Sequence, residues 1–463
     1  MKNQLLRKKS LDQLLNRQGK VQLNKTLSGF DLIALGVGAV VGTGIFILPG
    51  TVAAEHTGPA IIFSFIIAAI VCLLSAMCYS EFSSVIPVAG SAYTYSYVVF
   101  GELIAWVVGW CLLLEYGLAV AAVATGWSAY FVSLLAGLGI HIPAALSGPF
   151  NPTNGTFINL PSIIIILLLT AFLSLGMKES NRLNKIMVFI KIGIVLLFIL
   201  VGMFYVKPEN WQPFAPYGFE GILGGAALVI FAYLGFDAVS SAAEEVKNPK
   251  RNMPIGIIGT LVICTILYIA VSLVLTGMVP YTDLNVGNPV AYAMETVNQD
   301  WVFGVISLGA VVSMMTVVFV MLYGGTRLVY SLSRDGMLPK VLSEISPRKK
   351  IPLKSTWIYA VFISLFAGSV PISRLAELVN IGTLIAFAMV SIGIIFLRRS
   401  KIAHTMEGFK VPLYPFIPII SFVLCIYMII QLSTFTIIAC SIWIVFGLIV
   451  YFVYGRKHST LNQ

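Results

Sequence analysis

Apolar runs long enough to cross a lipid bilayer recur along almost the whole of this 463-residue chain, and no other feature narrows its possible folds as much. A helix of about twenty residues spans a hydrocarbon core of ~30 Å. Inside that core every backbone N–H and C=O must find a partner within the chain, which leaves helices and closed barrels. Barrel strands would be short and alternate in polarity, whereas these runs are continuously apolar. The sequence therefore predicts an all-α membrane protein. Composition agrees, because 58% of residues are hydrophobic and only 10% charged, too few charges for a globule in water.

Twelve spans are expected, beginning near Phe30, Pro59, Ser91, Leu160, Asn184, Gly221, Pro254, Trp301, Ser355, Leu375, Val411 and Thr434. The stretch from Ser91 to Gly137 is too long for one straight crossing and too short for two with a loop. It reads as one long, bent helix with a surface extension. Residues 1–29 carry Lys2, Arg7, Lys8, Lys9, Arg17, Lys20 and Lys25 without a cleavable signal pattern, so they are expected to form a cytoplasmic tail. An even number of spans returns the C-terminus to the same side. With that topology every Lys and Arg falls on the cytoplasmic side except Lys207 and Arg374 outside and Lys191 and Arg327 within spans. The inside groups include Lys178, Arg182 and Lys185, then Lys247, Lys250 and Arg251, then Lys340, Arg348, Lys349, Lys350 and Lys354. Such a bias fixes orientation. It also accounts for the net charge of +10 through anionic lipid headgroups, with no nucleic-acid partner.

The six cysteines, Cys72, Cys78, Cys111, Cys264, Cys425 and Cys440, lie in apolar stretches without metal-ligand spacing. They read as small hydrophobes, with no disulfides expected. His56, His141, His404 and His458 are scattered, so neither a metal site nor a hydrolytic triad is expected. Enzymatic chemistry has no residues to rest on. The segment from Leu138 to Asn159, with Pro143, Pro149 and Pro152, reads as an extracellular connection and partial cap.

The informative positions are those where a span contains what a helix avoids. The first span reads Gly36-Val-Gly-Ala-Val-Val-Gly-Thr-Gly-Ile-Phe46, and each Gly costs a helix ~1 kcal/mol against Ala. The span is expected to unwind around Val41, Gly42, Thr43 and Gly44. Gly38 and Gly42 also fit a small-xxx-small packing motif, and taken alone the two readings compete. The sixth span, from Gly224 to Val239, then places Gly235 and Asp237 deep in another apolar run. Glycine-interrupted segments at corresponding positions of two five-helix halves point to an inverted-repeat transporter with a midplane site.

These residues also resemble a known family, the amino acid–polyamine–organocation superfamily. Besides the first-span glycines, the matching segments are Pro87-Val-Ala-Gly-Ser-Ala-Tyr93-Thr-Tyr95, Gly101-Glu102, Gly109-Trp110, Gly235-Phe-Asp-Ala-Val, Ala243-Glu-Glu-Val-Lys-Asn-Pro-Lys-Arg251, Pro254-Ile-Gly-Ile and Arg334-Asp-Gly-Met-Leu-Pro339. The resemblance covers nearly the whole chain. It is nearest to bacterial relatives of the cationic amino-acid transporters, a group that includes branched-chain amino-acid permeases of Gram-positive bacteria. It implies the leucine-transporter fold, with a first five-helix repeat in 30–205 and an inverted second repeat in 206–397. Two further helices would occupy 398–457 and a short cytoplasmic tail 458–463. It also implies a bacterial inner-membrane location.

At the first break, freed backbone N–H groups from Val41 to Gly44 suit an α-carboxylate. At the second, carbonyls around Phe231, Ala232 and Leu234 would be unpaired acceptors for an α-ammonium, the role the resemblance also implies for those positions. Phe231 would cover the substrate as a gate, although a merely packed aromatic fits its sequence too. Lys191 lies about two turns into the fifth span, where a bare ammonium is costly, so it is either paired or gives up its proton. A lysine that snorkels to the headgroups is the plainer alternative. Sodium-coupled relatives of this fold hold a cation between spans one and eight, and in proton-coupled members a lysine of the fifth span takes its place. The resemblance thus implies H⁺ as coupling ion, no organic cofactor, and Lys191 bridging carbonyls of the first span.

Asp237 and Glu115 are the other intramembrane acids, each with a coupling, substrate or structural role open to it. Side-chain selection falls to spans three, six, eight and ten, where Cys111, Ala119, Ala122, Val318 and Met321 would line an apolar pocket. A neutral aliphatic amino acid is the expected small-molecule partner, since a cationic side chain would need a desolvated acid and Glu115 alone could serve. Cationic amino-acid transport is the alternative, followed by a sensor or channel of the same fold. Nothing in the sequence sets the oligomeric state.

Overall fold

A computed structural model describes residues 7–8, 25–86, 91–175, 181–241, 243–346, 351–400 and 408–462. Lys2, Lys9, Arg17 and Lys20 of the tail, Lys178, Arg348, Lys349, Lys350 and Lys401, His404, and Pro87 to Gly90 of the quoted motif lie outside the described residues.

The described chain is helical, with no β-strand among the described residues. Its elements are α1 Gly29–Val40, α2 Thr43–Phe46, α3 Leu48–Val52, α4 Ile61–Val85, α5 Ser91–Val99, α6 Glu102–Gly137, α7 Leu160–Ser174, α8 Asn181–Gly202 and α9 Gly218–Val229. They continue with α10 Ala238–Ser241, α11 Pro249–Met278, α12 Pro289–Thr296, α13 Asp300–Arg334, α14 Leu353–Ser369, α15 Ile372–Arg398, α16 Phe416–Ile430 and α17 Thr434–Val450. Among the described residues seven helical segments are by themselves long and apolar enough to cross a membrane, and five shorter apolar helices accompany them. Capping explains several starts: Ser28 and Asp31 form a reciprocal capping box ahead of α1, and Pro249 occupies the first turn of α11, where its missing N–H costs nothing.

Three boundaries differ from expectation. The third span is not one bent helix with a surface extension. Gly101, at φ +107°, separates α5, buried along its whole length, from the 36-residue α6. The seventh helix begins at Pro249 rather than Pro254, which lies inside it. The eleventh begins at Phe416, because Pro412 to Pro415 form a turn instead. The long α6 is the spine of the bundle, packed along α13 on one side and α15 on another, while α11 packs against α1 and α4.

Candidate functional site

The first interruption lies between α1 and α2. Val41 is extended (φ −76°, ψ 100°) and Gly42 is non-helical (φ −153°, ψ −133°); helix resumes at Thr43. The break is therefore narrower than the expected Val41 to Gly44. In the resumed turn the first internal donor is Ile45, whose N–H reaches the Gly42 carbonyl at 3.2 Å. The N–H groups of Thr43 and Gly44 precede it and take no part in the helix's own bonding.

The second interruption follows α9. The chain tightens into a 3₁₀ turn over Ile230–Tyr233, becomes extended at Leu234 (ψ 135°), turns at Gly235 with φ +109° and resumes as α10. Phe231, Ala232 and Leu234 are buried. Their carbonyls are not all unpaired, as the sequence suggested. Phe231 accepts from the Leu234 N–H at 3.2 Å, and Ala232 accepts from the Tyr268 hydroxyl at 2.5 Å. Each carbonyl retains a second lone pair.

The two breaks face one another, and glycine makes that possible. A Cβ on Gly44 would lie 2.5 Å from the Ala232 Cα, and one on Gly235 would lie 3.1 Å from the Ala39 Cβ. Each interrupted helix thus offers a glycine to an alanine of the other. Asn380 of α15 steadies the second break by donating through Nδ2 to the carbonyls of Ala227 and Leu228, both at 2.9 Å.

Three side chains from three other helices cap the carbonyl end of α1. The Lys191 ammonium of α8 donates to Gly38 at 2.7 Å, and Ser313 of α13 donates to Val41 at 3.2 Å. The Tyr268 hydroxyl of α11 also lies 3.3 Å from the Val40 carbonyl, so one phenol bridges the backbones of both breaks. Lys191 is buried, at 2% exposure. A buried cation fits here because the last carbonyls of a helix lack internal donors and form its negative pole.

Glu115 and Asp237 are also buried. Glu115 projects from α6 against α15, where a Cβ on Gly382 would lie 3.4 Å from the Glu115 Cβ. Glu115 Oε2 and Thr43 Oγ1 have no hydrogen-bond partner among the described residues. Cys111, Ala119, Ala122, Val318 and Met321 are all buried on α6 and α13. Those two helices border the first break: a Cβ on Gly126 would meet Thr43 Cγ2 at 2.4 Å, and one on Gly42 would meet Val317 Cγ2 at 3.2 Å. The structure thus gathers Thr43, Gly44 and Ala232 at one place, puts Lys191 on α1, and sets Glu115 against α15.

Sequence reasoning missed Tyr268, Ser313 and Asn380. Only Asn380 carried a signal, as a lone amide between Val379 and Ile381 in an apolar run, costly in hydrocarbon without partners. Among the described residues no three His, Cys, Asp or Glu side chains gather as a metal site.

Fold and site together define a helical membrane protein with two interrupted helices apposed at its core. The family profile described as amino acid permease matches residues 27–460, and the chain belongs to that family. It is 53% identical over 459 residues to the methylthioribose transporter of Bacillus subtilis (strain 168), covering 99% of each chain. It is 49% identical to the branched-chain amino acid permease BcaP of the same organism, over the full length of both. A vacuolar cationic amino acid transporter 4 of Arabidopsis thaliana is 39% identical over 86% of this chain and 67% of its own.

Proposed function

We propose that this chain is a secondary active permease that takes up neutral aliphatic amino acids, foremost the branched-chain class, together with H⁺ across the bacterial cell membrane. The observation that carries the reading is the apposition of Gly44 and Ala232. It puts N–H groups of one break beside carbonyls of the other, the complement of a zwitterion. Thr43 and Gly44 receive the α-carboxylate, with Val41 and Gly42 shaping the approach. Phe231, Ala232 and Leu234 receive the α-ammonium, and Phe231 closes over it. Met321 and its buried neighbours on α6 and α13 favour an apolar side chain. Lys191 and Asp237 handle the proton.

In this reading the chain crosses twelve times in the leucine-transporter fold, as inverted repeats in 30–205 and 206–397 followed by two helices in 398–457. Both ends lie in the cytoplasm, and no cofactor beyond H⁺ is required.

A second reading is favoured by the 53% identity to a methylthioribose transporter and by the unpartnered Thr43 Oγ1 and Glu115 Oε2, which could meet sugar hydroxyls. Methylthioribose has neither carboxylate nor ammonium and would leave the backbone groups of both breaks unused. Cationic amino-acid transport is the third reading, with Glu115 as counter-ion. Competition of radiolabelled leucine uptake in proteoliposomes by unlabelled leucine, isoleucine, valine, arginine, lysine and methylthioribose separates the three. The proposal expects competition by the branched-chain group. Absence of leucine uptake together with methylthioribose uptake overturns it.

A further inference from the structure

A cavity of about 210 Å³ lies between α6, α13, α14 and α17. Its walls include Leu114 and Leu118 of α6, Val329 of α13, Ile358 and Phe362 of α14 and Trp443 of α17; Leu338 and Leu342 close one end. Ile358 is 58% exposed and Phe362 44%, so this wall opens toward the surroundings of the bundle, which for a permease is the hydrocarbon of the membrane.

The lining asks for hydrocarbon and nothing else. Its three polar side chains have already spent their donors on backbone carbonyls: Ser355 on Pro352 at 2.9 Å, Tyr359 on Leu113 at 3.2 Å and Trp443 on Trp110 at 3.0 Å. A polar ligand would be buried there without partners, at a cost of several kcal/mol.

Shape and charge narrow the occupant further. Along α14 the cavity runs from Ser355 to Phe366, about 16 Å at 1.5 Å per residue. That is the depth of one leaflet, half of a ~30 Å core. Leu338 and Leu342 belong to the segment joining α13 to α14. By sequence that segment carries Lys340, Arg348, Lys349 and Lys350 against Asp335 and Glu344; Arg334 ends α13, and Lys354 in the first turn of α14 is paired with Glu344 at 2.6 Å. A basic segment at the membrane face attracts an anionic headgroup.

We propose that this cleft binds one acyl chain of an anionic glycerophospholipid, drawn from the leaflet that meets the basic α13–α14 segment. The headgroup lies against Lys340 and the chain lies between α6 and α14. The inference rests only on membrane embedding and is independent of the transported substrate.

The test uses the full chain in phosphatidylcholine nanodiscs containing a trace of photoreactive lipid, with a diazirine on one acyl chain and either a phosphatidylglycerol or a phosphatidylcholine headgroup. Adducts are mapped by peptide mass spectrometry. The phosphatidylglycerol probe is expected to label the α14 peptide holding Ile358 and Phe362 several-fold more than the phosphatidylcholine probe does, and several-fold more than it labels α16. Leu114→Trp, which fills the cleft, should remove that excess. Lys340→Glu, at an exposed position, should reduce the phosphatidylglycerol signal to the phosphatidylcholine level. Equal labelling by the two headgroups, labelling of α14 no greater than of α16, or an excess that survives the charge reversal overturns the proposal.

Discussion

The Lys191 ammonium donates to the Gly38 carbonyl across 2.7 Å, tying the middle of α8 to the last turn of α1 just before that helix breaks. In the proposed coupling scheme a neutral lysine, a weaker donor than the ammonium, would loosen this bond, and the proton state of one side chain would bias the position of the interrupted helix. Lys191→Ala is expected to abolish leucine accumulation driven by an inward pH gradient, and wild-type uptake should be indifferent to replacing sodium by choline. Proteoliposomes with an imposed pH step read both. Full accumulation by the variant, or a strict sodium requirement, would refute the coupling scheme and leave the fold untouched.

Tyr268 offers one proton to two carbonyls, at 2.5 Å on Ala232 and 3.3 Å on Val40. Tyr268→Phe keeps the ring against Phe65 and Tyr233 and deletes only the bridge. A net hydrogen bond is worth about 0.5–1.5 kcal/mol, so substrate affinity should fall by up to about tenfold with little change in thermal stability. Binding titration beside a melting curve checks this. Unchanged affinity would make the tyrosine a packing residue.

At Gly44 any side chain meets backbone. The 2.5 Å approach to the Ala232 Cα leaves no room even for a methyl group, and overpacking of this kind costs about 1–3 kcal/mol. Gly44→Ala should lower substrate affinity sharply, and Gly44→Val should abolish binding while the protein still inserts and elutes as a single species. Wild-type binding by Gly44→Val would show that the substrate sits elsewhere.

Glu115 distinguishes substrate classes. Glu115→Gln preserves the shape of a buried side chain packed against α15 and removes its charge. Leucine uptake should persist if the substrate is neutral, whereas arginine uptake, if present, should vanish. Loss of leucine uptake alone would assign Glu115 to coupling or to the fold.

The Glu81–Arg398 pair tests stability apart from transport. Both guanidinium contacts are 2.7 Å, and the same carboxylate accepts from the Val411 N–H at 2.6 Å. Arg398→Ala strands a buried carboxylate, which costs about 3 kcal/mol. The variant should melt at a markedly lower temperature, with the uptake of each folded molecule retained. An unchanged melting curve would show that the pair contributes nothing net.

What the sequence determined by itself was whatever lipid enforces locally. Continuous apolar runs require helices because hydrocarbon offers a backbone no other partner. Gly42, Gly44, Gly235 and Asp237 stand out within such runs for the same reason, and both interruptions fall among them. Even the buried Lys191 could be singled out, since an ammonium in an apolar segment demands a partner. The identity of that partner, and the roles of Tyr268 and Ser313, were decided only by tertiary structure. Their acceptors on α1 lie 153, 228 and 272 residues away along the chain. No local periodicity records a hydroxyl whose task depends on which helix becomes its neighbour. The same holds for the split between α5 and α6 at Gly101 and for the cleft beside α14. Both arise from how long apolar helices fit together, and apolar residues that face protein read the same in sequence as those that face lipid.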